Sequence, residues 1–256
     1  MSVPRGYPRS PHGTLIRLHD NTFIAAYWLG FLMADGSFKN NRLVVCLNDQ
    51  DKSHMRSCMD WLEITSTLRH VDNVVSFGIV DRINGPAIRE RFDINNRKTY
   101  EPPRWMPYFD KDMLRAFLVG FIDGDGHIYK QHGRKTSALA TVSHGSWMPF
   151  MTQLSQATNF GYVRLRSKTS YVSLCCSRHN DIVALKQWAA SVELPVLQRK
   201  WSLVDESISC TWYERGAEMR TLILAGHRTD DIARMHGCGK SAVSNMRARM
   251  RRDAVQ

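Results

Sequence analysis

The sequence lacks any uncharged apolar run near the roughly 18 residues a membrane-spanning helix requires. Its longest candidate, Phe23 to Ala34, suffices for about three helical turns, so a soluble globular chain is expected. Cysteine is sparse and unpatterned. Cys46, Cys58, Cys175, Cys176, Cys210 and Cys238 contain no CxxC pair and no His at zinc-finger spacing, which argues against a disulfide framework or zinc site and fits thiols in a reducing compartment. The opening MSVPRGYPRSPHGT is basic and Pro-rich without the apolar stretch of a secretory signal. Residues 1–22 are therefore expected to form a flexible basic arm. Acids are also in deficit: 24 Asp and Glu face 35 Lys and Arg, a net charge of +11, with a pI near 9.6. That imbalance points to a polyanionic partner, nucleic acid or an anionic membrane surface. What is present is core material: 43% apolar residues in 256, enough for one large domain or two ordinary ones.

The chain contains an internal repeat. WLGFLMADGSF, Trp28 to Phe38, aligns without gaps on LVGFIDGDGHI, Leu118 to Ile128, matching Gly30 with Gly120, Phe31 with Phe121, Asp35 with Asp125 and Gly36 with Gly126. Behind each motif come two strand-like runs, an amphipathic segment, two further strand-like runs and a helix. In the first half these include RLVVCLN, Asp51 to Glu63, Ser66 to His70 and Val74 to Val80. In the second they are His127 to Gln131, Ala138 to Ser143, Trp147 to Ala157, GYVRLRS, TSYVSLCCS and Asn180 to Ala190. Pro102, Pro103 and Pro107 interrupt the link between the halves. The pattern changes near Cys210, where a short Arg-rich helical tail begins.

Each motif helix carries small residues four apart, Gly30 with Ala34 and Gly120 with Gly124, a spacing that lets two helices approach closely. The glycine after each acid, Gly36 or Gly126, suits a helix C-terminus. Two helices packed this way set Asp35 and Asp125 side by side at the negative ends of both dipoles, where a cation must compensate. An anionic, oxygen-rich site of this size suits Mg²⁺ with water and phosphate oxygens, a setting for phosphodiester hydrolysis.

The paired motifs resemble those of the LAGLIDADG homing endonucleases in the single-chain form that carries both copies, over about Phe23 to Glu206. The resemblance implies an α+β fold of two pseudo-symmetric αββαββα repeats forming a DNA-binding β-saddle. Repeats at 23–109 and 110–210 would be followed by a helix-turn-helix over 211–256. It implies Mg²⁺-dependent cleavage of both strands of a long duplex site by a monomer, with Mn²⁺ or Ca²⁺ able to take the same positions. Asp35 and Asp125 would be the metal-binding acids, with the backbone carbonyls of Ala34 and Gly124 beside them. Lys98 and Lys200 would stabilise phosphate charge or position water, and Arg199 could stand in for Lys200. Asp49 and His144 are weaker candidates for ordering water. Met33 departs from the family pattern, where the second motif keeps Asp123, and structural more than catalytic consequences are expected there.

In GYVRLRS the alternation puts Tyr162, Arg164 and Arg166 on one face and Val163 and Leu165 on a packed one. By the resemblance the polar face meets DNA, with His127, Tyr129, Gln131, Tyr171 and Ser173, and with Lys39, Arg42 and Arg69 in the first half. In the tail, Thr229 reads as an N-cap, followed by Ala233, Gly237 and Val243, a spacing that resembles a helix-turn-helix. Its second helix, about Lys240 to Arg251, would present Lys240, Ser241, Asn245, Arg247 and Arg249 to DNA. Two other functions share such a core: a non-catalytic DNA-binding regulator and an RNA-binding intron maturase. The expected setting is a bacterial or phage-infected cytoplasm, or an organelle, with a free-standing or intron-encoded gene favoured over an intein.

Overall fold

The computed structural model describes residues 14–39, 41–65, 67–94, 97–103, 106–130, 136–166, 170–207 and 212–253. The chain divides into two compact units, Met1–Ile208 and Ser209–Gln256. In the first, helices α1 (Phe23–Asp35), α2 (Lys52–Trp61) and α3 (Asn84–Arg91) alternate with strands β1 (Gly36–Lys39), β2 (Arg42–Asn48), β3 (Arg69–Val71) and β4 (Val74–Val80). The order then recurs: α4 (Lys111–Asp125), β5 (Gly126–Lys130), β6 (Ser137–His144), α5 (Met148–Thr158), β7 (Tyr162–Arg166), β8 (Tyr171–Cys176), α6 (His179–Ser191) and the short α7 (Gln198–Trp201). Two four-stranded antiparallel sheets result, in the orders β1-β2-β4-β3 and β5-β6-β8-β7. The architecture is α+β, with each repeat running αββαββα. Among the described residues no helix is long and apolar enough to cross a membrane.

The motif helices start and stop for local reasons. Thr22 caps α1 by accepting from the Ala25 amide, and Asp110 caps α4 by accepting from Asp112 and Met113. Both end at an acid followed by glycine, and the glycines are extended rather than left-handed: Gly36 at φ −76° and Gly126 at φ −85°. Glycine is required there by space. A Cβ would lie 2.5 Å from Leu32 O at Gly36 and 2.4 Å from Ile122 O at Gly126, so the chain passes directly from helix into strand.

α1 and α4 pack backbone to backbone. A Cβ on Gly30 would sit 2.0 Å from Phe117 O, and one on Gly120 would sit 1.9 Å from Tyr27 O. Phe31, Leu32, Phe117, Leu118 and Ile122 are buried around this contact, each such side chain contributing about 1.5–3 kcal/mol by burial. The start of the chain joins this core too. Residues Thr14–His19 form a 3-10 turn whose Leu15 and Leu18 are buried, and Arg17 donates to Trp61 O and pairs with Glu63. The flexible arm expected through residue 22 therefore does not extend through this stretch, because its two leucines have a hydrophobic site to fill. Residues 1–13 lie outside the described residues.

The second unit holds α8 (Trp212–Leu224), α9 (Thr229–Met235) and α10 (Lys240–Asp253) around a small core of Met219, Ile232, Ala233 and Val243. Gly237, at φ +58° between α9 and α10, takes the left-handed conformation glycine tolerates. The N-cap of α9 is Arg228, with no side-chain cap bond, and Thr229 is already helical. The cap expected at Thr229 is thus displaced by one residue.

Candidate functional site

The close approach of α1 and α4 brings their C-terminal ends together. A Cβ on Gly124 would meet Ala34 Cβ at 2.3 Å and Asp35 Oδ2 at 3.3 Å, so only glycine fits between the two acid-bearing turns. Asp35, half-buried, and Asp125, the more exposed of the two, follow Ala34 and Gly124. Asp35 is pushed up to about 6, first by burial and second by the charge of Asp125, against the opposing pull of Lys200 and Lys98. Asp125 is likewise raised by burial, again against both lysines. Neither carboxylate is comfortable as an anion in this setting.

Lys98 and Lys200 sit at equivalent places on these helix ends. Lys98 Nζ donates to Met33 O at 2.6 Å and Ala34 O at 3.0 Å. Lys200, buried, donates to Ile122 O at 3.1 Å, to Gly124 O at 2.7 Å and to Asp123 O. Each ammonium satisfies orphan carbonyls of a last helical turn, including those of Ala34 and Gly124. Burial lowers the affinity of both lysines for their protons, and the neighbouring acids raise it. The cluster is thus two carboxylates and two ammonium groups around one point. Its donor set is oxygen only, and two desolvated carboxylates in mutual repulsion fit a hard divalent cation. Among the described residues no three His, Cys, Asp or Glu converge, so water and phosphate oxygens would complete the shell of such an ion.

Arg199 does not share the role of Lys200. Its guanidinium makes two bonds to buried Asp51, Nε to Oδ1 at 2.9 Å and Nη2 to Oδ2 at 2.8 Å. Asp123 is structural: Tyr27 Oη, the Leu197 amide and Trp201 Nε1 donate to it at 2.6, 2.8 and 2.7 Å. Its counterpart Met33 is simply buried in the core. Asp49 pairs with His70 at 3.1 Å, while His144 caps the turn after β6 by accepting from the Ser146 amide.

Strand register places the candidate DNA residues. In the second sheet His127, Tyr129, Tyr162, Arg164, Tyr171 and Ser173 all lie on the face turned from the core. The rings of His127 and Tyr129 stack at 5.5 Å. In the first sheet Lys39, opposite Arg42, and Arg69 share the corresponding face. Arg69 opposes Ser76 on β4 as Arg164 opposes Ser173 on β8, so the internal symmetry maps one arginine onto the other.

Two expectations for this sheet fail, one on each face. Leu165 is 50% exposed rather than packed: β7 is an edge strand, and nearby Gly145, where a Cβ would come within 3.8 Å of Leu165 Cδ1, has no side chain to cover it. Ser173 is 0% exposed: a small side chain on a central strand, it lies between Val142 and Arg164 in the register and is covered. It is therefore unable to reach a ligand directly. Gln131 lies outside the described residues, as do the side chains of Arg166 and Arg249. In α10, Ser241 and Asn245 are exposed. Lys240 is tied to Asp230 at 2.8 Å and Arg247 donates to His227 O, so both serve the fold of the unit. Charge on these two residues was legible in the sequence; its internal partners were not.

No protein-family model matches the sequence, and no curated protein matches it. Solved structures do. The chain is similar to the LAGLIDADG homing endonuclease I-GzeII in complex with its DNA target, at 9% identity and TM-score 0.48 over 78% of this chain and 91% of that one. It is similar to I-LtrWI bound to target DNA, at 13% and 0.49 over 80% and 92%. For I-SmaMI bound to uncleaved DNA in the presence of calcium ions the values are 11% and 0.44 over 87% and 96%. At these identities and TM-scores the likeness assigns no residue roles.

Proposed function

We propose that the chain is a site-specific homing endonuclease that hydrolyses phosphodiester bonds on both strands of duplex DNA. The observation that carries this reading is the meeting of Asp35 and Asp125 at one point, each beside a lysine held on the helix end, in a unit whose two sheets carry cationic residues on their outer faces. Asp35 and Asp125, with the carbonyls of Ala34 and Gly124, would hold Mg²⁺, which when bound supplies an activated water and charge stabilisation at the phosphate. Lys98 and Lys200 offset negative charge that builds on the phosphoryl oxygens. Lys39, Arg42, Arg69, Arg164 and the His127–Tyr129 stack bind backbone and base edges. The protein acts as a monomer, because both acids come from one chain. The second unit adds DNA contacts through α10.

The test is cleavage of a randomised duplex library with Mg²⁺ or EDTA, followed by sequencing of the ends. Discrete metal-dependent ends are expected from wild type, and none from the Asp35→Asn, Asp125→Asn double variant. Selective binding with no cut would replace the nuclease reading with a DNA-binding regulator.

A further inference from the structure

The two lysine-bearing segments are held in place by residues of the opposite repeat, at positions the internal symmetry makes equivalent. After β2, a 3-10 turn over Asp49–Asp51 leads into α2, whose N-cap is Asp51. After β6, the turn Gly145–Trp147 leads into α5, whose N-cap is Trp147. Asn48 and His144 cap the two turns in the same manner, each accepting from the amide two residues on. Asp51 and Trp147 are therefore counterparts, although one is an acid and the other an indole.

Both reach across to the other repeat's lysine. Asp51, in the first repeat, holds Arg199, the neighbour of Lys200, through two charge-assisted bonds. Trp147, in the second, donates its Nε1–H to Lys98 O at 3.0 Å and Thr99 O at 3.1 Å. Trp147 is itself fixed in the core against Phe121 and Phe150, at 5.5 and 5.6 Å between ring centroids. The residue corresponding to Arg199 in the first repeat is Arg97, which pairs with the nearby Glu101 at 3.7 Å and lies over the Tyr100 ring. The latches are thus reciprocal in place and different in chemistry.

Resting on the endonuclease reading, we propose that Asp51 and Trp147 are positioning residues that set Lys200 and Lys98 respectively, each repeat fixing the lysine of the other. Among the described residues neither is hydrogen-bonded to Asp35 or Asp125, and each holds a lysine-bearing segment. Asp51 also places its charge near Asp35 and Lys200, a charge that Arg199→Gln leaves intact, so that variant isolates the latch. The crossed arrangement makes the two strand cuts separable by mutation, since loosening one latch releases one lysine alone.

The experiment compares wild type with Asp51→Asn, Trp147→Phe and, from the solvent side of the first latch, Arg199→Gln. Trp147→Phe keeps an aromatic ring beside Phe121 and Phe150 and removes the N–H donor together with part of the buried indole volume. Amide hydrogen exchange on the free protein is read first. Faster exchange confined to 97–101 in Trp147→Phe, and to 198–202 in the Asp51 and Arg199 variants, is expected; equal or global change in all three would overturn the proposal. Strand-resolved nicking of the cleaved site is read second. Each latch should slow one strand by about tenfold or more through kcat, with KM nearly constant, and the slow strand should differ between Trp147→Phe and Asp51→Asn. Uniform slowing of both strands would show a merely structural role. A wild-type protein that binds but never cuts refutes the endonuclease reading, and the exchange pattern still decides the latches.

Discussion

His54 illustrates what burial does to one titratable group here. It is enclosed by the rings of Tyr27, Trp28 and Phe31. Tyr27 Oη donates its proton to Asp123, so the 3.1 Å contact requires His54 Nε2–H to donate to the phenol oxygen. Burial pulls the imidazole down to about 4, with Lys200 pushing the same way and Asp51 opposing. The unfolded chain therefore binds this proton between about pH 6.5 and 4 while the folded one does not. Stability present above the unfolded value is lost as pH falls through that window, by up to about 3 kcal/mol. Asp35 and Asp123, both raised to about 6, act in the opposite sense, so the comparison must be against a variant. Urea unfolding of wild type and His54→Phe at pH 7 and pH 4.5 should show a smaller acid loss in the variant; equal losses would remove His54 from the account. None of this was legible in the sequence, where His54 is one polar residue in an amphipathic segment. Asp35 and Asp125 were legible because duplication marks them. Asp51 and Trp147 were not, since equivalent positions with unlike side chains leave no repeat to see.

At the scale of elements, the α1–α4 contact decides whether the fold forms. Small residues four apart were visible in the sequence, and the structure shows that at Gly30 and Gly120 the obstacle to a side chain is the partner's backbone carbonyl. Backbone cannot move aside as a rotamer can, so Gly30→Ala must separate the helices. The expected cost is about 3 kcal/mol or more, at the upper end of overpacking penalties. Gly78 supplies the control, because a Cβ there meets its nearest neighbour at an ordinary 3.6 Å; Gly78→Ala should be neutral or slightly stabilising in urea unfolding. Similar losses for both would mean that the helix contact yields. The strands were read well for the same reason the helices were: β2 and β4 alternate cleanly because one face is core. Leu165 and Ser173 were misread because alternation fixes which face a side chain is on, while the neighbours across the sheet fix how far it is covered.

For the whole molecule, charge is the property most open to misreading. The basic excess of the sequence suggests that every tail arginine and lysine meets phosphate. Within the second unit, however, Lys240 pairs with Asp230, Arg234 with Asp231 and Arg247 with a backbone carbonyl. These cations are partly spent on holding α9 and α10, which pack with α8 around Met219, Ile232, Ala233 and Val243. Removing residues from Thr211 onward should therefore weaken DNA binding and reduce its salt dependence by less than the number of basic residues lost. At about 0.9 of slope per phosphate neutralised, a decrease of roughly one to three in the slope of log K against log salt is expected. The first unit has its own extensive core and should remain folded, which thermal unfolding of the truncated chain checks. An unchanged affinity and slope would mean that the second unit makes no DNA contact, and the basic outer faces of the two sheets would then account for binding alone.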